Sequence, residues 1–336
     1  MQAASLVEVE PAAWDGLLER LGCADAYLQR DYLEVSAVLE REARPALLHA
    51  PGEGGDVVFP CLLRGVPELG VLDATNAYGY GGPVAVGAQP PVAGFADAYE
   101  RWCAETGVVS TFVRFHPLFE NHRTAPPSFR RERVAGSVAW RLEGDLVAGM
   151  HPHHRRAVRK AERTGVEVDV RLAPASLTPF AALHEETMRR QDAAPFYFFP
   201  PAYWQGLTAR LGARLLRLDA WLEGTLVASV LCLATPPWLH YHLGATSVAA
   251  RGVGASHLLM LTAALWGQAR GFEQFHLGAG VGGGGGPLLE WKRRFAPEGL
   301  REQWLGKAVH DPGRYRELTG QATVRYDGFF PAYRAP

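Results

Sequence analysis

Between Arg214 and Phe295 the chain leaves few folding options. Apolar runs at Arg214–Trp221, Leu226–Leu233 and Leu239–Gly244 read as a meander of strands, turning at Glu223-Gly224 and at Pro236-Pro237. The glycine-bearing segment Arg251-Gly252-Val253-Gly254-Ala255-Ser256 then precedes a helical pattern with Leu258, Leu259, Leu261, Thr262 and Leu265 as apolar positions. A buried strand, a glycine run and a second helix carrying Lys292 complete the stretch. A meander that continues through a turn and a long helix into a further strand requires a mixed sheet with a crossover helix, so the expected class is α/β. Strand ends, helix-terminal amides and a cation then converge, which suits an anionic, acyl-carrying ligand.

The 336 residues allow two domains, and the net charge of -1 gives no support to bulk nucleic-acid binding, so any basic surface must be local. No apolar run approaches the length needed to span a bilayer, and the N-terminus lacks the pattern of a signal peptide. Cys23, Cys61, Cys103 and Cys232 are isolated in sequence, which fits a reducing, cytoplasmic setting better than a disulfide framework or zinc site. The expected division is 1–145 and 146–312, with 313–336 a candidate to complete the first domain. Both parts are expected to be mixed sheets flanked by helices.

In the first part, Val57–Leu63 and Ala46–Ala50 read as a hairpin, 92–106 as a helix and Val108–Phe115 as a strand. The segment Asn76-Ala-Tyr-Gly-Tyr-Gly-Gly-Pro83 admits two readings. Its glycines allow either close approach of a ligand, with Tyr78 and Tyr80 as stacking faces, or a tight turn among packed tyrosines.

The run His151 to Gly165 reads as a helix with Ala157, Val158 and Ala161 inward and a basic band of Arg155, Arg156, Arg159, Lys160 and Arg163 around them. That band is either a solvated face or a site for phosphate or carboxylate. A further helix starts at Thr178-Pro179 and ends in Arg189-Arg190-Gln191. The aromatic, proline-rich stretch after it, which contains Tyr197, is a candidate wall for an acceptor pocket as well as candidate core. Tyr241 and His242 sit at the end of the third meander strand, where either can relay a proton. His240 and His242 share a strand face but lack a third ligand at suitable spacing, so no metal is expected. The glycines of 282–286 read as a loop or lid, since an unbroken glycine run carries little geometric information.

The strand–turn–helix–strand order with Arg251-x-x-Gly254-x-Ser256 resembles the GNAT N-acyltransferase superfamily, whose corresponding turn binds the coenzyme A pyrophosphate. Ser256 departs from the usual glycine or alanine in the last position. The combination of Arg155-Arg156-x-x-Arg159-Lys160-Ala161, Gly271-Phe-x-x-Phe-x-Leu-Gly278 and Trp291-Lys292-x-x-Phe295 resembles the Fem-type peptidoglycan-bridge transferases, built from two GNAT-like domains. The resemblance covers nearly the whole chain and is densest over 145–296. It implies an acyltransferase using acyl-CoA or aminoacyl-tRNA, with Lys292 in acceptor or carbonyl handling and Trp291 in place of the usual phenylalanine. It also implies an amine acceptor, a nucleotide-linked muropeptide being one candidate, and residues 251–256 at the donor. The alternative is a pair of degenerate GNAT domains acting as a binding or scaffold module.

Overall fold

A computed structural model describes residues 5–67, 69–280 and 285–335. In chain order the elements are β1 (Val7–Glu8), α1 (Trp14–Arg20), α2 (Arg30–Ala37), β2 (Ala43–Gly52), β3 (Gly54–Val66), β4 (Val71–Thr75) and β5 (Val84–Gln89). Then come α3 (Val92–Thr106), β6 (Val108–Arg114), β7 (Arg130–Arg141), α4 (Leu146–Gly149), α5 (Pro152–Arg163), β8 (Glu167–Leu172), α6 (Thr178–Arg190) and α7 (Pro201–Leu211). The chain continues with β9 (Leu215–Leu222), β10 (Thr225–Thr235), β11 (Trp238–Thr246), α8 (Ala255–Gln268), β12 (Gln274–Ala279), α9 (Pro287–Arg293), β13 (Leu300–Val309) and α10 (Pro312–Thr319). Mixed sheets flanked by helices form two compact units, Met1–Val134 with Glu302–Pro336, and Ala135–Arg301. The seams thus fall inside β7 and β13 rather than at 145 and 312, because an uninterrupted strand carries no composition shift to mark them.

In the first unit the sheet order is β1-β2-β3-β4-β6-β13, with β5 on the remaining part of β3. Phe59, Phe95, Tyr99, Phe115 and Phe129 centre its core. A satellite cluster of Val109, Tyr315 and Phe330 holds the C-terminal segment to β6 and α10. Asp73, fully buried on β4, ties the same segment down: Arg64 donates Nε–H to it at 2.7 Å, Tyr333 donates its hydroxyl at 3.1 Å, and Arg334 pairs with it. A buried carboxylate is tolerated only with such compensation.

β4 and β6 are parallel, and Asn76 extends the closure beyond the end of β4. Its Oδ1 accepts from Arg114 N at 2.7 Å, Gly81 N donates to Arg114 O at 2.9 Å, and Gly81 bridges Phe115. The glycines of this segment make room for the chain itself. A Cβ at Gly79 would meet the Tyr27 ring at 2.4 Å and one at Gly81 would meet Asn76 at 2.6 Å. Tyr80 is buried edge-on against Tyr27, and the Tyr78 carbonyl accepts from the Tyr32 hydroxyl at 2.5 Å. Of the two sequence readings, the contacts of the Tyr80 ring are those of the packed turn.

The second unit has the order β7-β12-β11-β10-β9-β8 over a core that includes Trp140, Val158, Leu259, Phe275 and Phe295. α5 starts on Pro152, with the His151 ring accepting from His153 N, and it stops at Gly165, whose φ is +83°. Its buried stripe is His154, Val158 and Ala161, at i, i+4 and i+7. Ala157 is only partly buried and faces α8, so the inward residue the sequence reading missed is a histidine.

Candidate functional site

Three backbone features of the second unit open one end of its sheet. β11 and β12 are parallel and register only through Trp238–Gln274, Leu239–Phe275 and His240–His276. β11 runs on to Thr246 and β12 to Ala279, so the two strands part after this pairing. Beside the parting, β10 pairs Leu231 with Leu243 but Cys232 with Tyr241, leaving His242 as an extra residue on β11. Such a bulge bends the strand and re-aims its side chains. The third feature is α8, whose first turn begins at Gly254 with φ +91° and points its N-terminal amides at the same place.

A cavity of about 590 Å³ occupies the opening. Tyr241 and Gly244 of β11, Gly252, Gly254 and Ser256 of the α8 turn, and Arg156 and Lys160 of α5 all line it. Among the described residues, neither Arg156 nor Lys160 has an ion-pair partner, so two cations face a space rimmed by helix-terminal amides. That arrangement favours an anion.

Lys292 on α9 lies in the parting itself. Its Nζ donates to Ala279 O, at the far end of β12, at 2.7 Å, and sits 5.1 Å from the centroid of the Tyr241 ring on β11. Only 5% of the residue is exposed, and burial pushes its amine down to about 7. Relative to its ordinary value of 10.5, that disfavours the charged form by on the order of 5 kcal/mol. Near neutral pH both protonation states are populated. Burial also pushes the Tyr241 hydroxyl up, so it stays protonated. A Cβ at Gly244 would fall 2.1 Å from that hydroxyl, so Tyr241 folds back over β11 only because residue 244 is glycine.

The sequence-derived site residues separate into those the structure gathers and those it does not. Lys292, Tyr241, Trp291, Arg156, Lys160, Gly252, Gly254, Ala255 and Ser256 lie at the cavity or the parting. His242 does not: it is buried on the other face of β11, its Nε2 is 2.7 Å from the Tyr203 hydroxyl, and burial holds it near pKa 3. His240, on the same strand, has its Nδ1 3.4 Å from His276 Nδ1. Arg155 caps backbone, donating to Ala148 O at 2.9 Å and Met150 O at 2.8 Å. Arg190 bonds Thr246 and pairs with Glu186, so it braces α6 on β11. Tyr197 packs edge-on against Phe196, away from the cavity lining. Arg159 and Arg251 are exposed and do not line the cavity, and Val253 packs on the core. Gly254 is required by the fold as well as by any ligand, because a Cβ there would fall 2.3 Å from Ala157 O on α5. Of the glycine run, 282–284 lies outside the described residues.

Sequence reasoning missed the histidines that border this cavity. His153 and His257 line it, and His154 stands behind them with its Nε2 2.8 Å from Trp291 O. Trp291 donates its indole N–H to His257 Nε2 at 3.0 Å. Burial lowers His154 to about 4 and His257 to about 3, so both are neutral at pH 7.

Residues 150–293 match the model of an acetyltransferase (GNAT) domain. That span contains the β11–β12 parting, the α8 turn and Lys292. The structure of FemX is similar over 94% of this chain and 100% of that one, with a TM-score of 0.68 and 12% identity. The chain has the Fem-type tandem-GNAT fold. Similar folds are L-PGS from Bacillus licheniformis (TM-score 0.56, 16% identity, 92% and 94% covered) and a tandem GNAT protein from the clavulanic acid biosynthesis pathway (0.52, 10%, 92% and 99%). No curated protein matches the chain. Among the described residues, no helix is long and apolar enough to cross a membrane.

Proposed function

We propose that the chain is an N-acyltransferase that moves an acyl or aminoacyl group from a phosphate-bearing carrier to an amine, with the chemistry at the β11–β12 parting. The observation that carries this reading is the placement of Lys292, bonded to Ala279 at one lip of the parting and set against Tyr241 at the other. The amine nitrogen attacks the donor carbonyl, the C–N bond forms, and the C–S bond of a thioester or the C–O bond of an aminoacyl ester breaks. Neutral Lys292 takes the proton that the attacking amine sheds, a role suited to a lysine tuned to about 7. Tyr241, still protonated, supplies a proton to the leaving thiolate or alkoxide, and Lys292 returns one to Tyr241. Backbone N–H groups of β11 freed by the parting face the developing oxyanion, where preorganised donors have their largest effect.

Coenzyme A is the donor favoured by the α8 turn, with its pyrophosphate over Gly252–Ser256 and beside Arg156 and Lys160. The second reading, aminoacyl-tRNA, is favoured by the exposed basic face of α5, where Arg159 and Arg163 continue the line of Arg156 and Lys160. The Fem-type resemblance supports a nucleotide-linked muropeptide as acceptor and a cytoplasmic setting. Calorimetry with acetyl-CoA, alanyl-tRNA and a UDP-linked muropeptide tests the scheme. Binding of one donor and of the acceptor is expected, and silence with all three overturns it in favour of a scaffold role.

A further inference from the structure

The histidines beside the cavity are a second constellation, and acyl transfer as described does not use them. His153 and His154 stand on the first turn of α5 and His257 on the first turn of α8. One ring nitrogen from each can be chosen so that all lie within 4.8 Å of one another. We infer that His153, His154 and His257 form a binding site for a borderline-soft divalent cation of the zinc type at the rim of the donor cavity.

The hydrogen bonds determine which nitrogens are offered. Trp291 O can only accept, so His154 Nε2 carries the ring proton and Nδ1 keeps its lone pair. A histidine held by a backbone carbonyl through one nitrogen and open at the other is the usual arrangement around a bound metal. His154 Nδ1 lies 3.5 Å from His153 Nδ1. Two nitrogens bound to one tetrahedral zinc at the normal bond length are roughly 3.3–3.4 Å apart, so this pair is near ligating separation, and His153, which donates from Nδ1 in that contact, moves its ring proton to Nε2 when Nδ1 ligates. Burial keeps His154 and His257 neutral, the form that ligates. The third ligand has to change partner. His257 Nε2 now accepts the Trp291 indole N–H. If Nε2 ligates, that lone pair goes to the metal; if Nδ1 ligates, the ring proton moves to Nε2. Either way the indole hydrogen bond is lost, so cation binding is coupled to a residue that also lines the cavity. His153 and His257 face the cavity, which leaves the remaining coordination position to water or to an anion entering it.

The test is equilibrium dialysis of untagged, metal-stripped protein against Zn²⁺, with Co²⁺ absorption to report geometry. Because the chain has 12 histidines, the variants decide the location. His153 is exposed, so His153→Ala should fold normally; His257→Ala provides the independent arm. The wild type should bind one Zn²⁺ per chain, give the intense absorption of tetrahedral Co²⁺, and shift the Trp291 indole N–H resonance, assigned with Trp291→Phe. Each histidine variant should bind about tenfold more weakly or worse. No binding by the wild type, wild-type affinity in both variants, or binding without the indole shift overturns the site. None of these outcomes bears on acyl transfer, which rests on Lys292 and the parting rather than on the histidines.

Discussion

Each unit contains a pair of parallel strands with a helix between them in the chain, β4 and β6 with α3 in one, β11 and β12 with α8 in the other, and the two pairs are finished in opposite ways. In the first unit pairing persists through Thr75–Phe112, and Asn76 and Gly81 then extend the closure to Arg114 and Phe115. The helix α3 begins on Pro91, with no glycine turn ahead of it. In the second unit pairing ceases at His240–His276, a bulge bends β11, and a glycine turn brings α8 to the gap. The same strand–helix–strand arrangement therefore serves as packing where side chains and backbone close it, and as a site where they leave backbone groups and a desolvated lysine beside a cavity.

Removing the lysine should break the contrast most sharply. Lys292→Met is expected to lower kcat/KM for acyl transfer by about 10²–10⁴-fold. It should also raise folding stability at neutral pH by on the order of 1–3 kcal/mol, since a desolvated amine is replaced by an apolar chain of similar length. The sign follows from the depressed folded-state value: the unfolded chain binds the proton more tightly, so stability falls as pH drops from about 10.5 towards about 7 and this contribution is constant below that. Thermal melts across that window should show the slope in the wild type and not in the variant. A variant that is both slower and less stable would mean that Lys292 is structural.

Gly254→Val should reveal how far the open end depends on α5–α8 contact. The new side chain meets Ala157 O in a left-handed backbone conformation, and a loss on the order of 2–4 kcal/mol in chemical denaturation is expected together with weaker donor binding. Unchanged stability would show that the helices have room to separate. In the closed unit, Asn76→Ala removes the acceptor for Arg114 N and should destabilise by about 1–3 kcal/mol. Tyr80→Phe should leave turnover within about twofold, because the Tyr80 ring is packing; a large rise in KM there would restore a ligand role. At Arg156→Ala a modest effect is expected, since an exposed cation contributes about three- to tenfold in donor affinity, diminishing with salt. A salt-independent loss would contradict an anion contact.

Much of the second unit was legible in sequence because its signals are local. Strand runs, the Pro236-Pro237 turn and the glycine turn before α8 all occupy consecutive residues. Lys292 was different, since a lysine on a short helix is ordinary and only the Fem-type resemblance singled it out; its depressed amine arises from burial against strands distant in sequence. The closure by Asn76 was hidden for the same reason, its partner being 38 residues away. Gly254 appeared as a ligand glycine when helix packing already demands it, and His154 was assigned to neither the inward stripe nor the basic band although it lies on the stripe. Tyr241 and His242 are adjacent on one strand, so alternation already sends them to opposite faces, and only Tyr241 reaches the cavity.

The most direct test of the central claim is the pH dependence of single-turnover acyl transfer to a UDP-linked muropeptide, with acetyl-CoA and alanyl-tRNA tried as donors, in wild type and Lys292→Met. If neutral Lys292 accepts the proton of the attacking amine, the wild-type rate rises with pH to a plateau with an apparent pKa of about 7, and the variant loses both rate and inflection. A Lys292→Met enzyme that keeps the wild-type rate and the same inflection would place the chemistry elsewhere.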